Sequence, residues 1–327
     1  MMQCSNYLGV LHAKYILIFE VVTNIISTVY KAIDSFTNKK YLVKMFDEYD
    51  NSIEKEVQMN EIISNLNNPF FVKYIDYSYG ELIIDKIKKE RHYIVFENPS
   101  KGSLLKYINI NKSGFSEKIC KFIFYKILKA IQVLHNLGIS HRNIKIENIV
   151  LDGDNYSIKI IDFSESAIMT NEKGEKILFK KGINISNYTA PEIINGIPYN
   201  GEKIDIFSLG VLLFILRTGS FGFKIGKFNK GVFYKNENLY KLIKNKKNDK
   251  YWELIEKSLG IIGLSQDFKN LYLRLVAYSP KERPTIEEIL NNDWIKEMNH
   301  LGEVESKNYE EEMINAFKKR EQFLNLV

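Results

Sequence analysis

The stretch GISHRNIKIENIVLDGDNYSIKIIDFSES, Gly138 to Ser166, gathers His141, Arg142, Asn143, Lys145, Asn148 and Asp162 within a few turns of chain. Residue type already limits what position 143 can do. A carboxamide accepts a hydrogen bond from a hydroxyl but cannot take up its proton near neutral pH, so chemistry centred there lacks a general base. Taken singly, each residue also has a plainer role: a surface ion pair for the arginine, loop caps for the asparagines and the aspartate, solvent for the lysine. What they do together depends on the elements that hold them.

Upstream, residues 15–97 read as mostly strand, with apolar and aromatic clusters in YILIFEVV, STVYKAI, KYLVKMF, FFVKYIDY and HYIVFE. One helix interrupts them, opening near Asn51 with Glu54 at capping-box spacing, running to Leu66 and stopping before Pro69. After Pro99 the period changes. In SEKICKFIFYKILKAIQVLHNLG, apolar residues recur at 120, 123, 124, 127, 131 and 134, with Ser116 as start signal and Gly138 as stop. Further helices are expected from about 202, 236, 266 and 285. A final one, Glu303 to Leu326, carries acids first and bases last, the order that suits a helix dipole. Its stripe of Tyr309, Met313 and Phe317 should pack on the parent domain.

Six landmarks follow in order: Lys44 at a strand end, HRNIKIEN at 141–148, DFS at 162–164, APE at 190–192, DIFSLG at 205–210 and PKERPT at 280–285. Together they resemble the protein kinase family over about residues 15–295, and Lys145, two after Asn143, is similar to the Ser/Thr branch. The resemblance implies an α+β, bilobal fold: a small β-rich lobe with one main helix (15–97), a hinge at 97–102 and a larger, mostly helical lobe (103–295). An N-terminal extension (1–14) and a helical tail (296–327) flank it. It further implies Lys44 as a cation for nucleotide phosphates, with Val29, Leu42, Glu97 and Val150 around the nucleotide, and Asn148 and Asp162 as oxygen ligands for Mg²⁺. Lys145 stands beside the base position, and Arg142 faces an activation segment whose Ser166, Thr170 and Ser186 are phosphate acceptors able to order it. Glu192 with Arg283, and Asp205 beneath the catalytic loop, are structural by the same resemblance.

Several positions depart from the family pattern. Asn143 replaces the aspartate base; losing such a base costs about 10² to 10⁴ in rate, which cripples a reaction that is mostly positioning and charge stabilisation without abolishing it. The three glycine positions of the phosphate loop, counted back from Val29, are Val22, Asn24 and Ser27. Side chains there resist the left-handed conformations that glycine adopts freely, at about 1 to 2 kcal/mol each, so with Ile25 and Ile26 at its tip the hairpin reads as a plain turn. Leu42 replaces an alanine that lies against adenine. Pointing into the cleft, it fills adenine's place with up to about 2 kcal/mol of apolar burial; with the strand shifted, it is ordinary core. Phe96 narrows the same pocket. Ungapped alignment from Pro69 sets Met59 opposite Lys44 with Ile63 one turn on, and shifting the frame to Glu56 or Glu61 would bury Asn60 or Asn65, unfavourable unless hydrogen-bonded. The helix glutamate is therefore expected to be missing, leaving Lys44 to rest on Asp162. Ser164 replaces the glycine after Phe163 and stiffens that turn. Tyr74, Ile63, His141 and Phe163 are the candidates for a packed spine over Asp205.

The expectation is a pseudokinase, acting as a scaffold or allosteric regulator of protein partners such as an active kinase or its substrate, and requiring neither Mg²⁺ nor ATP. The alternatives are a slow Ser/Thr kinase using Mg²⁺ and ATP, and a nucleotide-sensing module. The 46 basic and 40 acidic residues are spread along the chain, and its densest basic run, Lys241 to Lys250, reads as a solvated helix end, so nucleic acid is not expected. Two cysteines, Cys4 and Cys120, exclude a disulfide framework and suit the cytoplasm or nucleus. The longest apolar run, Ile206 to Leu216, is too short to span a bilayer and reads as a core helix.

Overall fold

In KYLVKMF, alternation sends the side chains of Val43 and Met45 to one face and those of Leu42, Lys44 and Phe46 to the other, and the first unit of the protein uses both faces. The computed structural model describes residues 7–24, 26–109, 114–180, 183–223, 225–228, 231–234 and 237–324; Cys4 and Ile25 lie outside them. Residues 1–100 and 101–327 form two units.

In the first unit six antiparallel strands close into a barrel: β1 (Gly9–Leu11), β2 (Tyr15–Thr23), β3 (Ser27–Asp34), β4 (Lys40–Phe46), β5 (Tyr74–Ile84) and β6 (Ile87–Glu97), in the order β1-β2-β3-β4-β6-β5. The expected extension thus contributes β1, which pairs with both β2 and β5 and closes the sheet. Closure leaves no open edge between these strands. Val43 and Met45 point inward with Leu11, Tyr15, Leu17, Ala32, Tyr93 and Val95. The β5–β6 turn is only Asp85 and Lys86, both at positive φ, the geometry a two-residue hairpin demands. The run FFVKYIDY was expected to be strand throughout, but β5 starts at Tyr74. Asn68 bends the preceding chain, its side chain accepting from the Phe70 N–H and its carbonyl from the Phe71 N–H. Helix α1 (Asn51–Asn65) is capped by Asp50, which accepts from the Ser52 N–H, one residue before the expected start. Its Ile53 and Val57 pack on Phe46 and Ile94, the outward face of the barrel.

The second unit is mostly helical. It opens with β7 (Gly102–Ser103) and α2 (Leu104–Asn109); then α3 (Glu117–Asn136), β8 (Ile139–Ser140), β9 (Ile149–Asp152), β10 (Ser157–Ile160) and β11 (Ala167–Ile168) frame the 141–166 stretch. Next come α4 (Pro191–Ile194), α5 (Gly201–Thr218), the hairpin β12 (Ile225–Phe228) with β13 (Gly231–Tyr234), α6 (Glu237–Lys244), α7 (Asn248–Leu259), α8 (Gln266–Leu275), α9 (Ile286–Leu290) and α10 (Glu303–Leu324). Ser116 caps α3 as its sequence signalled, and α5 is apolar nearly all round because it is buried nearly all round. Gly219, at φ 75°, ends α5 in the left-handed conformation that suits glycine. The basic run Lys241 to Lys250 bridges α6 and α7, and among its five lysines Lys246 forms an ion pair with Glu282 and Lys250 with Glu253. Cys120 is free and buried. Among the described residues no helix is long and apolar enough to cross a membrane.

The tail helix α10 packs on its own unit as expected. Met313 and Phe317 are buried, Tyr309 stacks on Phe122, and Phe317 meets Tyr107, Phe115 and Tyr156. Arg320 lies over the Phe115 ring and donates to the Tyr107 and Gly114 carbonyls, both at 2.7 Å.

Arg283 and Glu192 form the expected buried ion pair, bidentate at 2.6 and 2.8 Å, and Arg283 also donates to the carbonyls of Ala277 and Lys203. Such a pair need not stabilise relative to apolar residues, but breaking it from one side strands a buried charge. Arg283→Ala should lower the unfolding free energy by about 3 to 5 kcal/mol, read by urea denaturation; a loss below about 1 kcal/mol, the worth of an exposed pair, would refute this.

Candidate functional site

On the outward face of the barrel, cross-strand register sets Val29 beside Lys44, Ile94 on the other side of Lys44, and Phe96 beside Leu42. Leu42 therefore shares the face that carries Lys44, one pleat repeat away, and is not barrel core. Lys44 does not lack its glutamate. Its Nζ donates to both carboxylate oxygens of Glu56 at 2.7 Å, and Glu56 is buried. The expectation that Met59 holds this position fails for a local reason. The frame that brings Glu56 inward also buries Asn60, and the Asn60 amide is satisfied by donating to the Glu56 carbonyl one turn back, at 2.8 Å. Met59 packs in the core instead.

The strands flanking the glycine-free loop pair as a hairpin with a register shift between Glu20 and Val22, and the tip residue Ile25 lies outside the described residues. Val22 pairs with Val29 and Thr23 with Thr28, and the Asn24 N–H donates to the Ser27 carbonyl at 2.8 Å. Ser27 is buried while Val22 and Ile26 are about half exposed. Glu97 commits a carboxylate oxygen to the Lys73 N–H at 3.1 Å.

In the second unit Asp205, fully buried near the start of α5, organises the loop after β8. It accepts four hydrogen bonds: from His135 Nε2, Ser140 Oγ and the backbone N–H of His141, all at 2.9 Å, and from the Arg142 N–H at 2.8 Å. Burial alone would raise its pKa, but the hydrogen bond and charge of His135, with His141 and the Arg142 N–H, hold it below the ordinary carboxylate value. Burial lowers the pKa of His141 as well, which favours the neutral imidazole. Its Nδ1 accepts from the Asn143 N–H, so Nε2 carries the proton and donates to the Ile161 carbonyl. Phe163 lies on His141, ring centroids 5.2 Å apart, and is buried.

These contacts deliver the chemistry-bearing side chains to one point. The carboxylate of Asp162 receives the Asn143 amide at 2.7 Å on Oδ2, the Asn148 amide at 3.3 Å on the same oxygen, and the Ser164 hydroxyl at 2.6 Å on Oδ1. An ionised carboxylate only accepts, so both amides present N–H to it. The other Asn148 proton goes to the Asn143 carbonyl at 2.9 Å, and the Ile161 N–H returns to the Asn148 carbonyl. Arg142 and Asp162 have φ of 60° and 68°. Left-handed backbone costs an L-residue about 1 to 2 kcal/mol, and here the side-chain and backbone hydrogen bonds hold both turns in it. Lys145 is extended and half-buried before the short 3₁₀ turn Ile146–Asn148, and Val150 is buried in β9 between Lys159 and Ser103. The geometry thus brings Asn143, Asn148 and Asp162 together in one unit, and Val29, Leu42, Lys44 and Phe96 together in the other. Residue reasoning missed Glu56 and the Ser164 contact. A signal for the first existed: Glu56 and Asn60 sit at i and i+4 on the face carrying Ile53 and Ile63.

Comparison with known proteins agrees with this geometry. A family model described as a protein kinase domain matches residues 25–295. Human NUAK family SNF1-like kinase 1 is 33% identical over 77% of this chain and 33% of its own length. The Caenorhabditis elegans serine/threonine-protein kinase kin-29 is 32% identical over 81% of this chain and 27% of its own, and mouse testis-specific serine/threonine-protein kinase 1 is 31% identical over 72% and 58%. The chain spans about a third of the length of the first, about a quarter of the second and over half of the third. Barrel, lysine–glutamate pair, Asp205-braced loop and family match together place this chain in the protein kinase family.

Proposed function

We propose that this chain is a pseudokinase, acting through protein partners as a scaffold or allosteric regulator rather than by phosphoryl turnover. The observation that carries the reading is the Asn143 amide donating to Asp162 at 2.7 Å. The position from which a substrate hydroxyl would lose its proton holds a group with no proton affinity near neutral pH. The glycine-free hairpin and the outward-facing Leu42 support the same reading. A second reading, a slow Ser/Thr protein kinase, is favoured by the Lys44–Glu56 pair, formed through both oxygens, and by relatives named as Ser/Thr kinases.

Regulation by phosphate fits less readily than the residue pattern implied. The Arg142 guanidinium lies over the Phe179 ring with 4.7 Å to its centroid, and donates to the Tyr199 hydroxyl at 3.2 Å and to the Glu165 carbonyl. Phe179 and Tyr199 exchange both backbone hydrogen bonds at 2.9 Å, tying the segment after Asp162 to the chain that enters α5. Ser166 Oγ donates to the His141 carbonyl, and Ser186 Oγ accepts from the Tyr188 N–H. In our reading the segment is ordered by this aromatic clamp on Arg142 without an added phosphate.

Two outcomes are expected. Transfer of ³²P from ATP to a generic protein substrate or to the chain itself should not exceed that of Asp162→Ala. Asn143→Asp alone should fail to raise it, because Val22, Asn24, Ser27 and Leu42 remain; a gain of about 10² to 10⁴ in Asn143→Asp would show that these four do not block phosphoryl transfer, and wild-type transfer that vanishes in Asp162→Ala would establish the second reading instead. In limited proteolysis, Phe179→Ala should speed cleavage between Glu165 and Tyr188, while the unphosphorylated wild type is already as resistant as a phosphorylated sample. Protection that appears only on phosphorylation would remove the clamp.

A further inference from the structure

The two departures at 143 and 164, each a loss when read alone, converge on one carboxylate. Asn143 supplies an N–H to Asp162 Oδ2 and Ser164 an O–H to Oδ1, with Asn148 adding a second N–H to Oδ2. The family pattern has a carboxylate at the first position and no side chain at the second, so neither donor would exist there. Two carboxylates at hydrogen-bond distance repel unless a proton or a cation lies between them, and oxygen-rich sites of that kind are what a hard divalent cation requires. Here three neutral donors direct their protons at the two oxygens of Asp162, two at Oδ2 and one at Oδ1. A cation needs the lone pairs that these donors take up, and it is repelled by the positive ends of the same N–H and O–H dipoles. The donor set therefore does not fit Mg²⁺ in this arrangement, and that misfit rests on the groups present.

We infer that Asn143, Asn148 and Ser164 replace a divalent cation at Asp162, so that this unit keeps its loop, its left-handed Asp162 and the Phe163–His141 contact without metal. The inference goes beyond the binding role proposed above and stands on a separate measurement, because the assay contains neither nucleotide nor phosphate acceptor.

The thermal unfolding midpoint of the full chain is compared in EDTA and in excess MgCl₂. The wild type should melt at the same temperature in both. Asn143→Asp, which sets a second carboxylate against Asp162, should melt lower in EDTA and recover in MgCl₂. Ser164→Gly, a milder change that frees Oδ1, should bind Mn²⁺, read by loss of its free electron-spin-resonance signal, about tenfold or more tighter than the wild type; Asp162→Ala gives the background for both. A wild-type midpoint that rises with MgCl₂ as far as that of Asn143→Asp overturns the inference, as does a wild type that takes up Mn²⁺ as tightly as Ser164→Gly. Should Asn143→Asp fail to fold in either buffer, the Mn²⁺ comparison decides alone. Phosphate transfer found in the earlier assay would sink the pseudokinase reading and leave these readouts standing.

Discussion

One buried carboxylate sets the geometry on which the candidate site depends. Asp205 is fully buried, and it is kept ionised by four donors from three places: the end of α3, the end of β8, and the first two backbone N–H groups of the loop that follows. Because two of those donors are backbone, the loop cannot move without stranding a buried charge. That constraint fixes Arg142 in left-handed backbone and so sets the direction in which Asn143 leaves the loop. With β9 and β10 returning the chain through Ile161, Asp162 arrives opposite it. A change at Asp205 would therefore act on the site through the backbone, with no contact to any ligand.

Much of this was legible in the residues, for identifiable reasons. Helices with a clean 3.6 period and a side-chain cap, such as α3 with Ser116, follow from local physics alone, and so does the stripe of α10. Elements specified by weaker local signals were lost or blurred. Helix α7 has Lys247 as its N-cap residue, without a side-chain cap, and begins inside a run of lysines, which hides its apolar face of Tyr251, Trp252 and Ile255. Strand β1 is three residues long and exists only because β2 and β5 present free edges to it, which is tertiary information. The landmark residues of the site were found because they lie in short, contiguous motifs.

The missed glutamate shows the limit of judging burial residue by residue. Asn60 counted against the correct frame because a buried amide is costly when unsatisfied. Its partner is the backbone carbonyl of Glu56, the residue whose inward position was being judged. The two polar groups are buried together, and each makes the other tolerable: Glu56 by pairing with Lys44 and presenting its carbonyl, Asn60 by capping that carbonyl. The cost of a buried polar side chain belongs to the pair.

The same reasoning, applied to Asp162, separates loss of chemistry from loss of structure. If Asn143 had merely replaced a catalytic group, its amide could face any direction, and nothing would connect it to the residue two places after Asp162. Instead the amide and the Ser164 hydroxyl approach opposite oxygens of one carboxylate, and that carboxylate sits in backbone of intrinsically unfavourable φ that needs support. A carboxylate whose charge is met by neutral dipoles gains less than one facing a dication, but it gains it at every moment, with no dependence on cation concentration. A protein whose task is to present a fixed surface benefits from that permanence. One that must release its product does not, because turnover needs the site to load and empty.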